Sequence, residues 1–424
     1  MERRLRHERW FKSLVVITTS LLIALVLKIM PWGRYLSASA PSSARQVALQ
    51  LVGISKPRAE IDDDWRRFRQ LGIETVRSRA ARVYAEAEPA YQRLMRYAGM
   101  DPEHMLVRWG NYDWTMIFPS KVFEIDDNGR SYRYRPLTRS IWLLNVPLIP
   151  GGPTFFLVPE GPGLADAIAG TKANPLLSST QTTNSWGLRG PEPDLEAPVR
   201  GIVLGDSFMQ GVLIGDDQSP PNYLQRYLRY HMKSPVSILN AGVMGYSPEQ
   251  YYYTLTAFAD RFRPHFVVVS VVANDFGDAH TALTQGAGDW QEGKYWLENI
   301  VEYCQQRGWR YLIVPAPMAA HVTGKRKSGF YPGQLSNVLE LSSLDYLYPI
   351  EDFASAYLKL INEAKRRRQT LRYCPLFNGA LGDHHFSAMG SEVWADAVGR
   401  RLLLLLGREP ALENQSAAIL DSNK

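Results

Sequence analysis

Four short apolar runs, separated by stretches with helical spacing, constrain this chain more than any other feature. The runs fall at 201–204, 236–239, 266–272 and 310–314, and the first reads Gly201-Ile202-Val203-Leu204. Amphipathic segments at 223–231, 248–261, 290–306 and 352–368 read as helices. A last helix is predicted to begin after Ser387, a good N-cap, and to run to about residue 406. A weak fifth strand is expected near 371–374. Strands alternating with helices predict an α/β fold with a doubly wound parallel sheet, whose ligand site lies beyond the strands' carboxyl ends.

The segments that follow those ends carry the chemistry. After the first strand comes Gly205-Asp206-Ser207-Phe208, and after the second Asn240-Ala241-Gly242-Val243-Met244-Gly245-Tyr246-Ser247. After the third comes Ala273-Asn274-Asp275-Phe276-Gly277-Asp278, and before the last helix Gly382-Asp383-His384-His385-Phe386-Ser387. A serine delivered at the end of a buried strand is a poor nucleophile unless a base and an oxyanion site accompany it. Ser207 is the expected attacking hydroxyl and His385 the base that takes its proton and returns it to the leaving alcohol. Asp383 is expected to orient the imidazole. Donors for a developing oxyanion are the backbone N–H of Ser207, the backbone N–H of Gly245 and the side-chain amide of Asn274. Each motif alone reads equally well as an ordinary turn or cap. The bland readings fail jointly, because all four would have to follow the right elements in the right order.

This set resembles the SGNH (GDSL) hydrolase superfamily, whose markers are a serine, a glycine, an asparagine and a histidine in that order. The resemblance spans 184–407 and includes the lead-in Asn184-Ser185-Trp186-Gly187-Leu188-Arg189-Gly190. It implies a flavodoxin-like sheet and a serine hydrolase acting on esters without cofactor or metal. Family spacing from Asn240 favours Gly245 over its rival Gly242. Two positions depart from the usual pattern. The family's acid commonly stands three residues before the histidine, where this chain has Gly382, so the role passes to Asp383. Ala273 replaces the glycine that commonly precedes the asparagine. The phasing of Phe386-Ser387 and Gly390 selects His385 as the base and leaves His384 to solvent.

Upstream, the chain divides by texture. Residues 1–12 are basic and residues 13–32 are largely apolar, ending near Lys28 and Trp32. Basic residues ahead of an apolar stretch keep that end in the cytoplasm. This predicts a single-pass transmembrane signal anchor, with the catalytic domain periplasmic or extracellular. A cleaved signal peptide ending near Ala38-Ser39-Ala40 is the competing reading. Residues 33–104 read as a helical stalk or packing region. Residues 105–183 read as a small β and loop region, with a hairpin signal at Asp127-Asn128-Gly129 and a loop at 147–163. Residues 408–424 are polar and read as a disordered tail.

The net charge of +6 comes from the N-terminus and the run Lys365-Arg366-Arg367-Arg368, which reads as a solvated helix face. No motif argues for nucleic acid. Cys304 and Cys374 read equally well as a disulfide or as two buried thiols. Around the site, His321, Lys325, Arg326, Lys327, Phe330 and Tyr331 are expected on a rim loop, and Tyr246, Phe276 and Trp290 are candidate stacking surfaces. The expected partner is an ester-bearing small molecule, lipid or polysaccharide. The first functional reading is an exported esterase removing acyl groups, acetyl among them, from a carbohydrate or lipid. The alternatives are an acyltransferase acting on an extracellular glycan, and a non-catalytic carbohydrate-binding protein on the same fold.

Overall fold

A computed structural model describes residues 58–110, 115–146, 155–276, 290–325, 331, 345–381 and 383–408. The predicted segments 1–12 and 13–32, the first part of the stalk and nearly all of the tail lie outside these residues. Among the described residues no helix is long and apolar enough to cross a membrane. The chain divides into two units, 1–70 and 71–424. The described part of the first is the opening of helix α1 (Arg58–Glu86), and the elements below belong to the second.

Helix α2 (Pro89–Ala98) starts on a proline, which suits an N-terminal turn, and stops at Gly99 in the left-handed region. Strands β1 (Leu106–Trp109) and β2 (Thr115–Phe118) pair antiparallel, as do β3 (Phe123–Asp126) and β4 (Ser131–Tyr134) around the turn at Asp127-Asn128-Gly129. Strand β5 (Arg139–Leu144) lies between β6 (Phe155–Pro159) and the short strands β7 (Asn174–Pro175) and β8 (Gln181–Thr182), with the short helix α3 (Leu164–Ile168) between β6 and β7. Strand β6 falls within the predicted loop at 147–163. Its Phe-Phe-Leu-Val core is apolar enough to bury against β5, and the prolines and glycines around it masked the signal. Leu94, Met95 and Ala98 of α2 pack on Ile141, Leu143 and Val158 of this sheet.

The parallel sheet comprises β9 (Val199–Gly205), β10 (Val236–Gly242), β11 (Phe266–Val271) and β12 (Arg310–Pro315), in the order β10-β9-β11-β12. The connecting helices are α4 (Ser207–Gln210), α5 (Pro220–Met232), α6 (Pro248–Phe262) and α7 (Trp290–Gln306). After β12 come α8 (Ala319–Val322), α9 (Ile350–Arg366) and α10 (Ala388–Leu405). Strand β11 shows why the sheet is wound on both sides. Val267, Val269 and Val271 face the core built with Tyr251, Leu255 and Ile300 from α6 and α7. Phe266 and Val268 face the core built with Leu224, Leu228, Phe353, Trp394 and Val398 from α5, α9 and α10. Two apolar faces turn the strand into an apolar run broken only by Ser270.

The expected fifth strand near 371–374 is absent: Arg372 and Tyr373 are exposed and lie in a bend. The outer edge of β12 is met instead by Tyr346, which bridges Ile313 in parallel through Ile313 N–H to Asp345 O (2.9 Å) and Leu347 N–H to Ile313 O (3.0 Å). Cys304 and Cys374 are buried free thiols, and burial pushes Cys304 up to about 12. The basic run 365–368 is exposed.

Candidate active site

The first crossover of the sheet goes from β9 to β10 on one side, and β11 then pairs with the other side of β9. The switch point of the sheet therefore lies at β9 and β11, where a crevice opens beyond the strand ends. Asp206 ends β9 and caps α4, its carboxylate accepting the Phe208 N–H at 2.9 Å. Ser207 is the first residue of that helix.

The histidine arrives from the other end of the chain. Phe386 bridges Phe377, and Ser387 caps α10 by accepting the Gly390 N–H. In the loop ahead of the cap, His385 Nε2 stands 2.7 Å from Ser207 Oγ. Its Nδ1 stands 2.8 and 3.0 Å from the two Asp383 carboxylate oxygens, and its backbone N–H donates to the same carboxylate at 3.2 Å. Ser207, Asp383 and His385 are all buried, 8–9 % exposed. A carboxylate on Nδ1 selects the tautomer with its proton there and leaves Nε2 free to accept the serine hydroxyl. Burial works against ionisation of Asp383, but the His385 hydrogen bond and charge outweigh it and hold the carboxyl below its ordinary range. His384 is exposed and stacks on the His385 ring at 4.7 Å.

The two glycines of the second segment have different tasks. A Cβ on Gly242 would stand 2.3 Å from the Gln210 backbone nitrogen and 2.5 Å from the Met209 carbonyl carbon, so this position lets β10 lie against α4. Gly245 has φ +77° in the turn that Tyr246 N–H closes on Val243 O at 3.1 Å. Asn274 sits in a 3-10 turn (Ala273–Phe276) directly beyond β11, half-buried.

Several supporting groups were not legible as site residues. Asn378 donates through Nδ2 to Val212 O (3.1 Å) and Phe386 O (3.0 Å), while its backbone accepts from Asp383 and donates to His385. It thereby ties the histidine loop to the segment after α4. Arg189, from the lead-in motif, reaches the carbonyls of Gln210, Gly211 (2.8 Å) and Ile214 (2.7 Å) and the Asp216 carboxylate (2.9 Å). Below the serine lie two buried carboxylates. Burial raises Asp206, against the pull of the Phe208 N–H and His385. Burial, then the charge of Asp206, lifts Asp275 well above the carboxyl range, although Val272 N–H (2.8 Å) and Tyr251 Oη (3.1 Å) both donate to it.

Two expected surface aromatics belong to the core instead. Tyr246 is buried with its hydroxyl on Tyr132 O, and Tyr331 is buried with its hydroxyl on Val271 O (2.9 Å) and Ala316 O (2.6 Å). A tyrosine is buried readily once its hydroxyl finds a carbonyl. Arg326, Lys327, Phe330 and the side chains of Phe276 and Trp290 lie outside the described residues.

A strand-end serine hydrogen-bonded to a histidine that is backed by a carboxylate, on a doubly wound sheet, defines a serine hydrolase. Residues 203–396 match the GDSL-like lipase/acylhydrolase family and form an SGNH/GDSL hydrolase domain acting on ester bonds. Among curated proteins none matches the chain. Similar solved structures include the acetyl xylan esterase AlAXEase (18 % identity, 47 % of this chain and 98 % of that one, TM-score 0.36). Others are the lipase/acylhydrolase from Enterococcus faecalis (16 %, 48 % and 95 %, 0.33) and Axe2, an acetylxylan esterase from Geobacillus stearothermophilus (15 %, 51 % and 97 %, 0.34).

Proposed function

We propose that Ser207 is the nucleophile, His385 the general base and acid, and Asp383 the group that orients it, in an esterase that removes small acyl groups from a carbohydrate or lipid. The observation that carries this is the continuous chain of short contacts, 2.7 Å from Ser207 Oγ to Nε2 and 2.8 Å from Nδ1 to Asp383. Ser207 Oγ attacks the ester carbonyl carbon while its proton passes to Nε2. The tetrahedral oxyanion is held by the N–H groups of Ser207 and Gly245 and the amide of Asn274. Collapse expels the alcohol, which takes the proton from Nε2 and leaves an acyl-serine. Water then attacks that acyl group, giving its proton to Nε2, and the second collapse frees the acid and restores the serine hydroxyl.

The basic and apolar N-terminus supports a place for this chemistry outside the cytoplasm, on a single-pass anchor. Cell fractionation with protease accessibility tests that placement. The chemistry is tested with p-nitrophenyl acetate and a fluorophosphonate probe. Wild type is expected to turn over the ester and take up one equivalent of probe, and Ser207→Ala is expected to do neither with its fold intact. Undiminished turnover by Ser207→Ala would remove Ser207 from the reaction.

A further inference from the structure

Residues 243–246 form a β-turn in which the third residue, Gly245, has φ +77°. That sign identifies a type II turn, since a type I turn has φ near −90° at the same position. The two types differ by a flip of their central peptide, here the unit made of Met244 C=O and Gly245 N–H. In a trans peptide these two groups point in opposite directions within one plane. Whatever fixes the Met244 carbonyl therefore also fixes the direction of the Gly245 N–H.

That carbonyl accepts a 2.7 Å hydrogen bond from the hydroxyl of Tyr132. Tyr132 belongs to β4, in the accessory β region and outside the matched hydrolase segment. The same hydroxyl would lie 2.8 Å from a Cβ placed on Gly245, and Met116 Sδ of β2 would lie 2.3 Å from it. The preceding peptide is held as well, because Met244 N–H donates to Gln210 Oε1 at 2.9 Å. Tyr132 is fully buried: its ring packs on Phe118 and Tyr246, and its backbone carbonyl accepts the Tyr246 hydroxyl. Burial holds its ionisation well above the ordinary tyrosine value, so it keeps the proton it donates.

We infer that Tyr132 is a positioning residue for ester hydrolysis, locking the Met244–Gly245 peptide so that the Gly245 N–H is aimed at the oxyanion. The inference rests on the proposal that Gly245 is an oxyanion donor. A carbonyl that already accepts a hydrogen bond also polarises its own N–H, which strengthens the donor. The accessory hairpin is then part of the catalytic apparatus.

The test uses the full-length protein and Tyr132→Phe, with kcat counted per fluorophosphonate-titrated site. Losing one oxyanion donor costs about 10²–10³ in kcat, so a donor left free to flip is expected to cost about 10–100-fold. KM should stay within about twofold, and the inhibition constant of phenylboronic acid, which mimics the tetrahedral intermediate, should rise by the same factor as kcat falls. A role confined to folding would lower the melting temperature but leave kcat per titrated site and boronate binding unchanged, and that result overturns the inference. If Tyr132→Phe does not accumulate, Tyr132→Met, which fills the same apolar space and likewise brings no hydroxyl, is measured in its place. The same paired loss is expected there, and its absence would be equally decisive. Activity in Ser207→Ala would sink the serine reading itself, whereas a dead Ser207→Ala beside a fully active Tyr132→Phe would sink the positioning role alone.

Discussion

Replacing Arg189 with methionine tests how the proposed nucleophile is held. The Arg189 side chain is 1 % exposed, and its guanidinium donates to three backbone carbonyls and one carboxylate, all in the segment that follows Ser207. Methionine keeps much of the volume but brings no donor. Gly211 O retains Gln181 Nε2 at 3.4 Å, and the Asp216 carboxylate retains the Thr182 N–H and hydroxyl at 2.8 and 2.6 Å. The Gln210 and Ile214 carbonyls lose the donor that Arg189 brings, and each buried acceptor so deprived costs about 1–3 kcal/mol. Asp216, 23 % exposed, recovers part of its solvation from water. The expected loss is about 3–5 kcal/mol, the range found when one partner of a buried ion pair is removed. Urea unfolding of the two proteins measures it, and the slope m should not change, because no new surface is exposed. Arg189→Lys should fall between them, since a point charge cannot serve a fan of acceptors. A loss below about 1 kcal/mol at unchanged m would show that the lead-in motif does not hold the serine turn.

Asp383→Asn should lower kcat by about 10³–10⁴ with little change in KM, measured on p-nitrophenyl acetate, because an amide on Nδ1 permits the wrong tautomer; a loss under tenfold would place the orienting acid elsewhere. Asp383 is held below its ordinary range, so the stability it contributes is present above about pH 3.9 and disappears only as pH falls through the depressed value. Asp275 has the opposite sign, raised by burial and then by Asp206, so the folded protein binds its proton more tightly than the unfolded chain does. Its contribution to stability should therefore decline as pH rises above about 3.9, and Asp275→Asn, which cannot titrate, should gain on wild type between pH 4.5 and pH 8 in urea unfolding. An equal difference at the two pH values would refute the raised carboxyl.

The sheet was legible because burial on both faces writes itself into composition: Phe-Val-Val-Val-Ser-Val admits few other readings. The candidate site was legible because each of its residues follows a strand end or precedes a cap, where topology alone brings distant segments together. Other features left weaker traces. Residues 371–374 carry strand-like residues, yet strand character does not say whether a sheet edge is available, and Tyr346 meets that edge. The prolines and glycines around 155–159 hid a strand that is stabilised only by its partner. Tyr246 read as a stacking surface and Tyr331 as a rim-loop residue because the carbonyls that satisfy their hydroxyls lie as far as 114 residues away. Arg189 belonged to a recognisable motif, but its acceptors, 21 to 27 residues on, gave no local sign.

Helix α4, which carries the serine, is four residues long, far below the length at which a helix sustains itself. Its geometry must therefore come from outside, and the contacts show where. Asp206 satisfies the Phe208 N–H, Arg189 collects the carbonyls at and beyond its end, Asn378 binds the chain just past it to the histidine loop, and Gln210 reaches sideways to the turn that holds Gly245. Each clamp secures the serine to one other part of the proposed site: its own helix end, the histidine loop, or the turn that carries Gly245. One of these residues, Arg189, lies before residue 203, as does Tyr132, to which the positioning of the Gly245 turn is ascribed, so on this proposal the functional unit begins upstream of the matched segment. A short helix gripped by four side chains holds the proposed nucleophile in place, and a shift of about 1 Å there is enough to cost a hundredfold in rate.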